Sequence, residues 1–425
     1  MKNVKYTTLV KPNTFIGKYM SYMAGLETPS SYDFWTAVWL TSLALGRGLT
    51  VSRPRIPVHM NWYIILCAES GLTRKSTAVD KATHVARAYL KMIGGDDVTL
   101  IEDKTIPEAL EATLNLATRE HGHAHCTIAI SELVRFLGRE RYNMSMPGLL
   151  TDLYDCPDQR RSPGTLSRGP SVIEEVYVSF LSASTPSWLA KSVNPNVVEG
   201  GFTSRVIFVH AERRKQQVAW PDADGGTTVI ELADIMRHMS SQAKLITERY
   251  NGIALTEPAL KWFKAWYNSR AEHRDAFRST FEAREDEHVL RLAGVLAAND
   301  DGWMIEKMHL QAAVKVVLEV KERGARIFEG IMQSDSLVRG VDRMREVFFM
   351  SGADPLTQTE LYFKLRSYFD KETFNLTLAI LHELKMVQKF QRESKGAGPK
   401  TTLWRGTTLL AQQGALELIM EGFDP

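Results

Sequence analysis

The chain has 425 residues, room for two to four domains at roughly 100–200 residues each. Its 44% hydrophobic, 24% charged and 9% aromatic content is that of a folded globular protein and excludes disordered, collagen-like and coiled-coil classes. Fifty-two Lys and Arg against 50 Asp and Glu leave a net charge of +2, so any nucleic-acid contact must be a local patch and not an effect of bulk charge.

Three widely separated cysteines, Cys67, Cys126 and Cys156, show no metal-ligand spacing and fit a reducing compartment without disulfides. The start of the chain lacks a secretory apolar region, and Trp35 to Leu45 is too short and too interrupted by Thr and Ser to span a bilayer. The expectation is a cytoplasmic chain with no membrane partner.

In chain order, residues 14–50 carry apolar side chains at helical spacing (Phe15, Ile16, Tyr19, Met20, then Trp35, Val38, Trp39, Leu43) and predict a helical entry segment. Five short apolar runs follow: Trp62 to Cys67, Val98 to Ile101, Thr127 to Ile130, Val176 to Leu181 and Val206 to Val209. With helical stretches between them they predict an α/β domain around a buried, largely parallel sheet. The HGHAHC tract at His121 to Cys126 reads as a loop. A polar connector at 213–227 leads into helical periodicity that runs to about residue 335. Helices are then expected at Asp342 to Met350, Thr357 to Phe369 and Lys371 to Met386, before a basic hairpin with a Gly-Pro tip, the outline of a winged helix. The predicted domains are 1–55, 56–215, 216–335 and 336–425.

The chemistry concentrates after the first strand, in LCAESGLTRKSTA. A phosphate-binding loop needs small residues, a Lys, a hydroxyl and a helix N-terminus behind them, and Ser70, Gly71, Arg74, Lys75, Ser76 and Thr77 supply that context. Lys75 is the phosphate-binding candidate and Ser76 the Mg²⁺ candidate. The usual pattern has Gly before the Lys and again five positions earlier, where this chain has Arg74 and Glu69. The strand of CTIAISEL ends in Ser131, a weak metal candidate, and Glu132, a carboxylate placed to orient a water. Ser184 and Thr185 follow the next strand at a position suited to sensing a γ-phosphate. Arg205 stands before the fifth strand, where an Arg can enter a neighbouring subunit's nucleotide site and stabilise transition-state charge.

These segments, with LLTDLYDCPD and GGFTSRVIFV, resemble a family of phage, prophage and mobile-element P-loop proteins catalogued as a domain of unknown function. The resemblance covers about residues 30–320, and its S-G-x-x-R-K-S-type loop makes Arg74 a family variant. In addition, EAREDEHVLRLAGVLAAND resembles the lid of minichromosome-maintenance (MCM) AAA+ helicases. That resemblance implies a sensor-2 role for Arg284, reaching the nucleotide across the lid, and a packing role for Arg291.

Between Lys385 and Arg405 six basic residues face one acidic one, Glu393, so that this stretch alone carries +5. Lys371, Thr373 and Asn375 are candidate groove residues, and Arg392, Lys395 and Lys400 candidate phosphate contacts. The combined expectation is an α/β P-loop NTPase, AAA+-like or alternatively RecA-like, using ATP and Mg²⁺. It would act as a homo-oligomeric, hexameric DNA motor, a helicase or translocase in phage or mobile-element replication, with a primase as a possible partner. The alternatives are a nucleotide-switched DNA-binding initiator or scaffold and a phage-defence ATPase.

Overall fold

The computed structural model describes residues 4–95, 97–137, 145–162, 171–192, 201–220, 226–270, 276–352, 354–366, 371–392 and 401–407. Two compact units divide the chain, Met1–Phe328 and Glu329–Pro425.

The first unit opens with helices α1 (Phe15–Tyr22) and α2 (Ser30–Leu45). Helix α2 is apolar nearly all round and is buried along its length, which suits a helix enclosed by other elements. The five apolar runs become strands β1 (Tyr63–Cys67), β2 (Val98–Ile101), β3 (Ala124–Ile130), β4 (Val176–Ser184) and β5 (Val206–His210). Helix α3 (Lys75–Ile93) joins β1 to β2 and α4 (Pro107–His121) joins β2 to β3. Every strand pair is parallel, and the spatial order is β2-β3-β4-β1-β5. Strands β1 and β4 are buried along their whole length, as parallel strands covered on both faces must be.

This order positions the site. The connection from β1 to β2 skips two strand positions, so the C-terminal ends of β1, β4 and β3 stand side by side, where open parallel sheets bind ligands. The register is level: Cys67 lies opposite both Ser184 and His210, and Ile130 opposite Ser182.

Several expectations are corrected. HGHAHC is no loop: His121 ends α4, Gly122 caps it in the left-handed region (φ 78), and Ala124 begins β3. Between helix α5 (Met146–Tyr154) and β4 an antiparallel hairpin, Gln159–Ser162 with Ser171–Glu174, was not anticipated. The helical region holds α6 (Val229–Tyr250), α7 (Glu285–Asn299) and α8 (Lys307–Ser351), with shorter helices at Glu257–Asn268 and Ala276–Glu282. The expected break near residue 335 does not occur. No proline interrupts 307–351, and polar residues alone do not end a helix, which stops only before Gly352 (φ 56) and Pro355.

The second unit has its own core of Met344, Phe348, Leu361, Leu365, Phe374, Leu378, Leu381, Val387 and Trp404. Thr357 and Glu360 form a reciprocal capping box that starts the helix Gln358–Leu365. The helix Lys371–Glu383 follows, then strands Val387–Arg392 and Thr401–Gly406, which pair with each other and, through the latter, with Leu356–Thr357.

Candidate functional site

The loop after β1 is built by backbone geometry. Arg74, immediately before α3, sits in the left-handed region at φ 53 and ψ 42, a conformation that glycine adopts without cost. The Arg74 side chain makes no capping bond to α3, which suits a helix N-terminus that receives an anion. The Lys75 ammonium folds into the loop and donates to the carbonyl oxygens of Ala68 (2.7 Å) and Glu69 (3.2 Å). Burial pulls the Lys75 pKa below its ordinary value, against the opposing influence of Cys67 and Glu69.

The Arg74 side chain turns away from this centre. Its Nε donates to Glu27 Oε2 at 2.6 Å, while Glu27 Oε1 accepts from Arg214 Nη1 (2.8 Å) and from the Val218 N–H (3.1 Å). The bond from Arg74, then those from Val218 and Arg214, lowers the Glu27 pKa to about 2. Arg74, expected among the cofactor-binding residues, thus enters the loop through its backbone while its guanidinium pairs with Glu27. Sequence reading missed both Glu27 and Tyr32, whose hydroxyl donates to Cys67 O at 2.7 Å and lies 3.4 Å from Thr73 Oγ1.

Ser131 and Glu132 follow β3 directly. The turn is fastened by the Leu133 N–H, which donates to Ala183 O at 2.9 Å and ties β3's end to β4. Ser70, Gly71, Arg74, Lys75, Ser76, Thr77, Ser131, Glu132, Ser184 and Thr185 line one cleft of about 520 Å³, with Leu133, Val134, Ala183 and Trp188. Ten of the twelve residues assigned to catalysis, nucleotide or metal therefore come together. Within this set Thr185 Oγ1 accepts from the Trp188 N–H at 3.2 Å at the start of the helix Pro186–Ser192, and Ser184 Oγ donates to Thr185 O at 3.5 Å. Beyond Arg74 and Glu27, the stretch 211–215, the start of α2 and part of α8 line a larger cavity of about 880 Å³ that includes Ser30, Arg214 and Arg326.

The other two residues, Arg205 and Arg284, do not line the cleft. Arg284 grips Asp155 with both Nη atoms (2.7 and 3.1 Å), and Arg205 Nη2 reaches the same carboxylate at 2.9 Å. Arg284, expected in a sensor-2 role reaching the nucleotide across the lid, is thus held by this carboxylate and not in its own chain's cleft. Burial raises the Asp155 pKa, but the hydrogen bonds from Arg205 and Arg284, with their charges, outweigh it and hold the group below its ordinary value. Arg291 packs inward, donating to His59 O at 2.7 Å and to the Tyr154 hydroxyl. His288, buried beside it, faces Ser204 O from Nε2 at 2.8 Å, and burial followed by the Arg291 charge lowers its pKa to about 3.

Of the candidate DNA contacts, Lys371 and Asn375 are exposed on the helix Lys371–Glu383, although Asn375 Oδ1 accepts from Gln358 Nε2 at 2.9 Å. Thr373 lies in the same helix and Arg392 ends its strand, whereas Lys395 and Lys400 lie outside the described residues.

No family model and no curated protein matches the sequence. Among solved structures the chain is similar to a full-length MCM homologue from Methanopyrus kandleri, at 13% identity and a TM-score of 0.41. The match covers 72% of this chain and 59% of that one, less than two thirds of the homologue's length. Among the described residues no helix is long and apolar enough to cross a membrane.

Proposed function

We propose that the chain is a P-loop ATPase of AAA+-like build that works as an oligomeric DNA motor, a helicase or translocase of a phage or mobile element. The observation that carries this reading is the convergence of Lys75, Ser76, Glu132 and Ser184 on one cleft at the ends of three neighbouring strands. A 19-residue helix that the Arg74 side chain does not cap and a lysine folded onto loop carbonyls are suited to a triphosphate, and a cleft of about 520 Å³ has room for one. The nucleoside then extends past Arg74 toward the larger cavity.

In this reading Lys75 exchanges its carbonyl partners for the β- and γ-phosphate oxygens. The Ser76 hydroxyl and, more weakly, Ser131 hold Mg²⁺, which neutralises charge on the phosphates when bound. Glu132 orients a water in line with the γ-phosphorus. As the new P–O bond forms, the bond to the β–γ bridging oxygen breaks, ADP leaves, and the water's proton passes to Glu132 or a phosphate oxygen. Ser184 or Thr185 donates to the γ-phosphate. Arg205 serves the nucleotide of a neighbouring copy, which suits its position outside its own chain's cleft. The second unit, read as a winged helix, grips DNA through its basic strands.

Steady-state ATP turnover with Mg²⁺, measured with and without DNA, tests the reading. Turnover stimulated by DNA is expected. ATP binding without turnover would make the chain a nucleotide-switched initiator or scaffold, and no binding at all would refute the P-loop assignment.

A further inference from the structure

We propose that Asp155 is a positioning residue that yokes Arg205 and Arg284 into one cationic pair, presented as a unit to the nucleotide of a neighbouring copy of this chain. The proposal rests on the ATPase reading above and adds a residue that the sequence did not single out.

Three segments converge here. Arg205 ends the short helix Phe202–Arg205, Arg284 precedes α7, and Asp155 follows α5. One carboxylate accepts from both: Oδ1 from Arg284 Nη1, and Oδ2 from Arg284 Nη2 and Arg205 Nη2, at 2.7, 3.1 and 2.9 Å. Both guanidinium groups also lie over the Tyr154 ring, their carbons 5.9 and 5.7 Å from its centroid, with Arg291 on the same ring at 4.6 Å. Three cations thus crowd one aromatic residue, and among the described residues Asp155 and Glu287 are hydrogen-bonded to them. Without Asp155 the three like charges lose the carboxylate that bridges two of them, which would drive Arg205 and Arg284 apart.

The yoke leaves donors to spare. Arg205 spends one N–H on Gly201 O (3.0 Å) and one on Asp155, and among the described residues its buried Nε has no partner. Arg284 spends its forked end on Asp155, with Glu287 Oε2 also accepting from Nη1 at 2.9 Å. Each guanidinium has five N–H groups, so both retain donors for phosphate oxygens while Asp155 fixes their spacing. The arginine side chains are only 13% and 19% exposed, but Asp155 is 49% exposed, which puts the pair at the rim of the unit, within reach of another chain.

The test compares Asp155→Ala with Arg205→Ala, Arg284→Ala and Lys75→Ala in the full-length protein. Asp155→Ala should lower kcat for ATP by about tenfold or more, as misplacement of a charge-stabilising group does, and leave KM within about twofold. In a background already carrying Arg205→Ala and Arg284→Ala it should cause no further loss, since nothing remains to position. Mixed with Lys75→Ala subunits, Asp155→Ala subunits should recover activity at interfaces that join their intact Lys75 to a neighbour's intact arginine pair. At equal mixing these are about a quarter of interfaces in a cyclic assembly. Asp155→Asn, nearly the same shape, provides the comparison if the alanine variant does not fold.

A wild-type kcat in a folded Asp155 variant overturns the proposal. So does a further loss in the double-arginine background, or a failure to recover on mixing when Arg205→Ala with Lys75→Ala does recover. Absence of turnover in the wild-type protein would instead overturn the ATPase reading itself.

Discussion

Replacing Arg74 by alanine and by glycine separates what its backbone does from what its side chain does. The left-handed conformation at φ 53 costs a residue with a Cβ roughly 1 kcal/mol, a cost glycine does not carry. The side chain contributes its pair with Glu27, but it is 57% exposed and Glu27 keeps Arg214 and the Val218 N–H, so solvent screening keeps the loss small and equal in both variants. Alanine loses the pair and keeps the backbone cost, whereas glycine loses the pair and sheds the cost. The glycine variant should therefore be the more stable of the two by about 1 kcal/mol, read as a higher urea midpoint at unchanged m. Because the guanidinium faces Glu27, both variants should bind a fluorescent ATP analogue within about threefold of wild type, a change of less than about 0.7 kcal/mol. A tenfold or greater loss of affinity in both would show that the guanidinium itself holds phosphate. Alanine matching or exceeding glycine in stability would refute the backbone argument.

Two further outcomes follow. His288 has its pKa lowered to about 3 in the folded chain against about 6.5 when unfolded, so the unfolded state binds the extra proton as pH falls below 6.5 and stability declines through that window down to about 3. His288→Gln should remove up to about 1.4 kcal/mol per pH unit of that slope in urea melts at pH 4–6, and an unchanged slope would mean that His288 charges freely in the fold. Neutralising Arg392, Lys395 and Lys400 together should weaken DNA binding for all sequences alike. The slope of log affinity against log salt should fall by up to about three on duplex, since each phosphate contact contributes about 0.9, and an unchanged slope would place DNA elsewhere.

The five strands were legible because each is a short apolar run closed by polar or glycine residues, and both β1 and β4 are indeed buried on two faces. Their spatial order was not, since pairing partners are chosen by tertiary packing and no local pattern encodes them. Lys75, Ser76, Glu132 and Ser184 could be found from their addresses at strand ends. Thr185 carries a second signal, since a Thr before a Pro is a helix start and its hydroxyl accepts the Trp188 N–H there. Arg74 reads in sequence only as a departure from glycine, and its left-handed backbone becomes visible in three dimensions alone. Asp155 was not singled out within LLTDLYDCPD, because the two arginines that meet on it, at positions 205 and 284, lie far from it in sequence. The break expected near residue 335 is absent because a polar stretch without Pro gives helix α8 no physical reason to end there.

The central claim is that the cleft behind β1, β3 and β4 binds and hydrolyses ATP, and the paired variants Lys75→Ala and Glu132→Gln test it most directly. With ATP affinity and Mg²⁺-dependent turnover measured on the same folded preparations, Lys75→Ala should lose binding, having lost the charge that faces the phosphates. Glu132→Gln should bind ATP like wild type and turn over about a hundredfold or more slowly, because only the orientation and deprotonation of the water are removed. Ordinary hydrolysis by folded Lys75→Ala, or undiminished turnover by Glu132→Gln, would contradict the account.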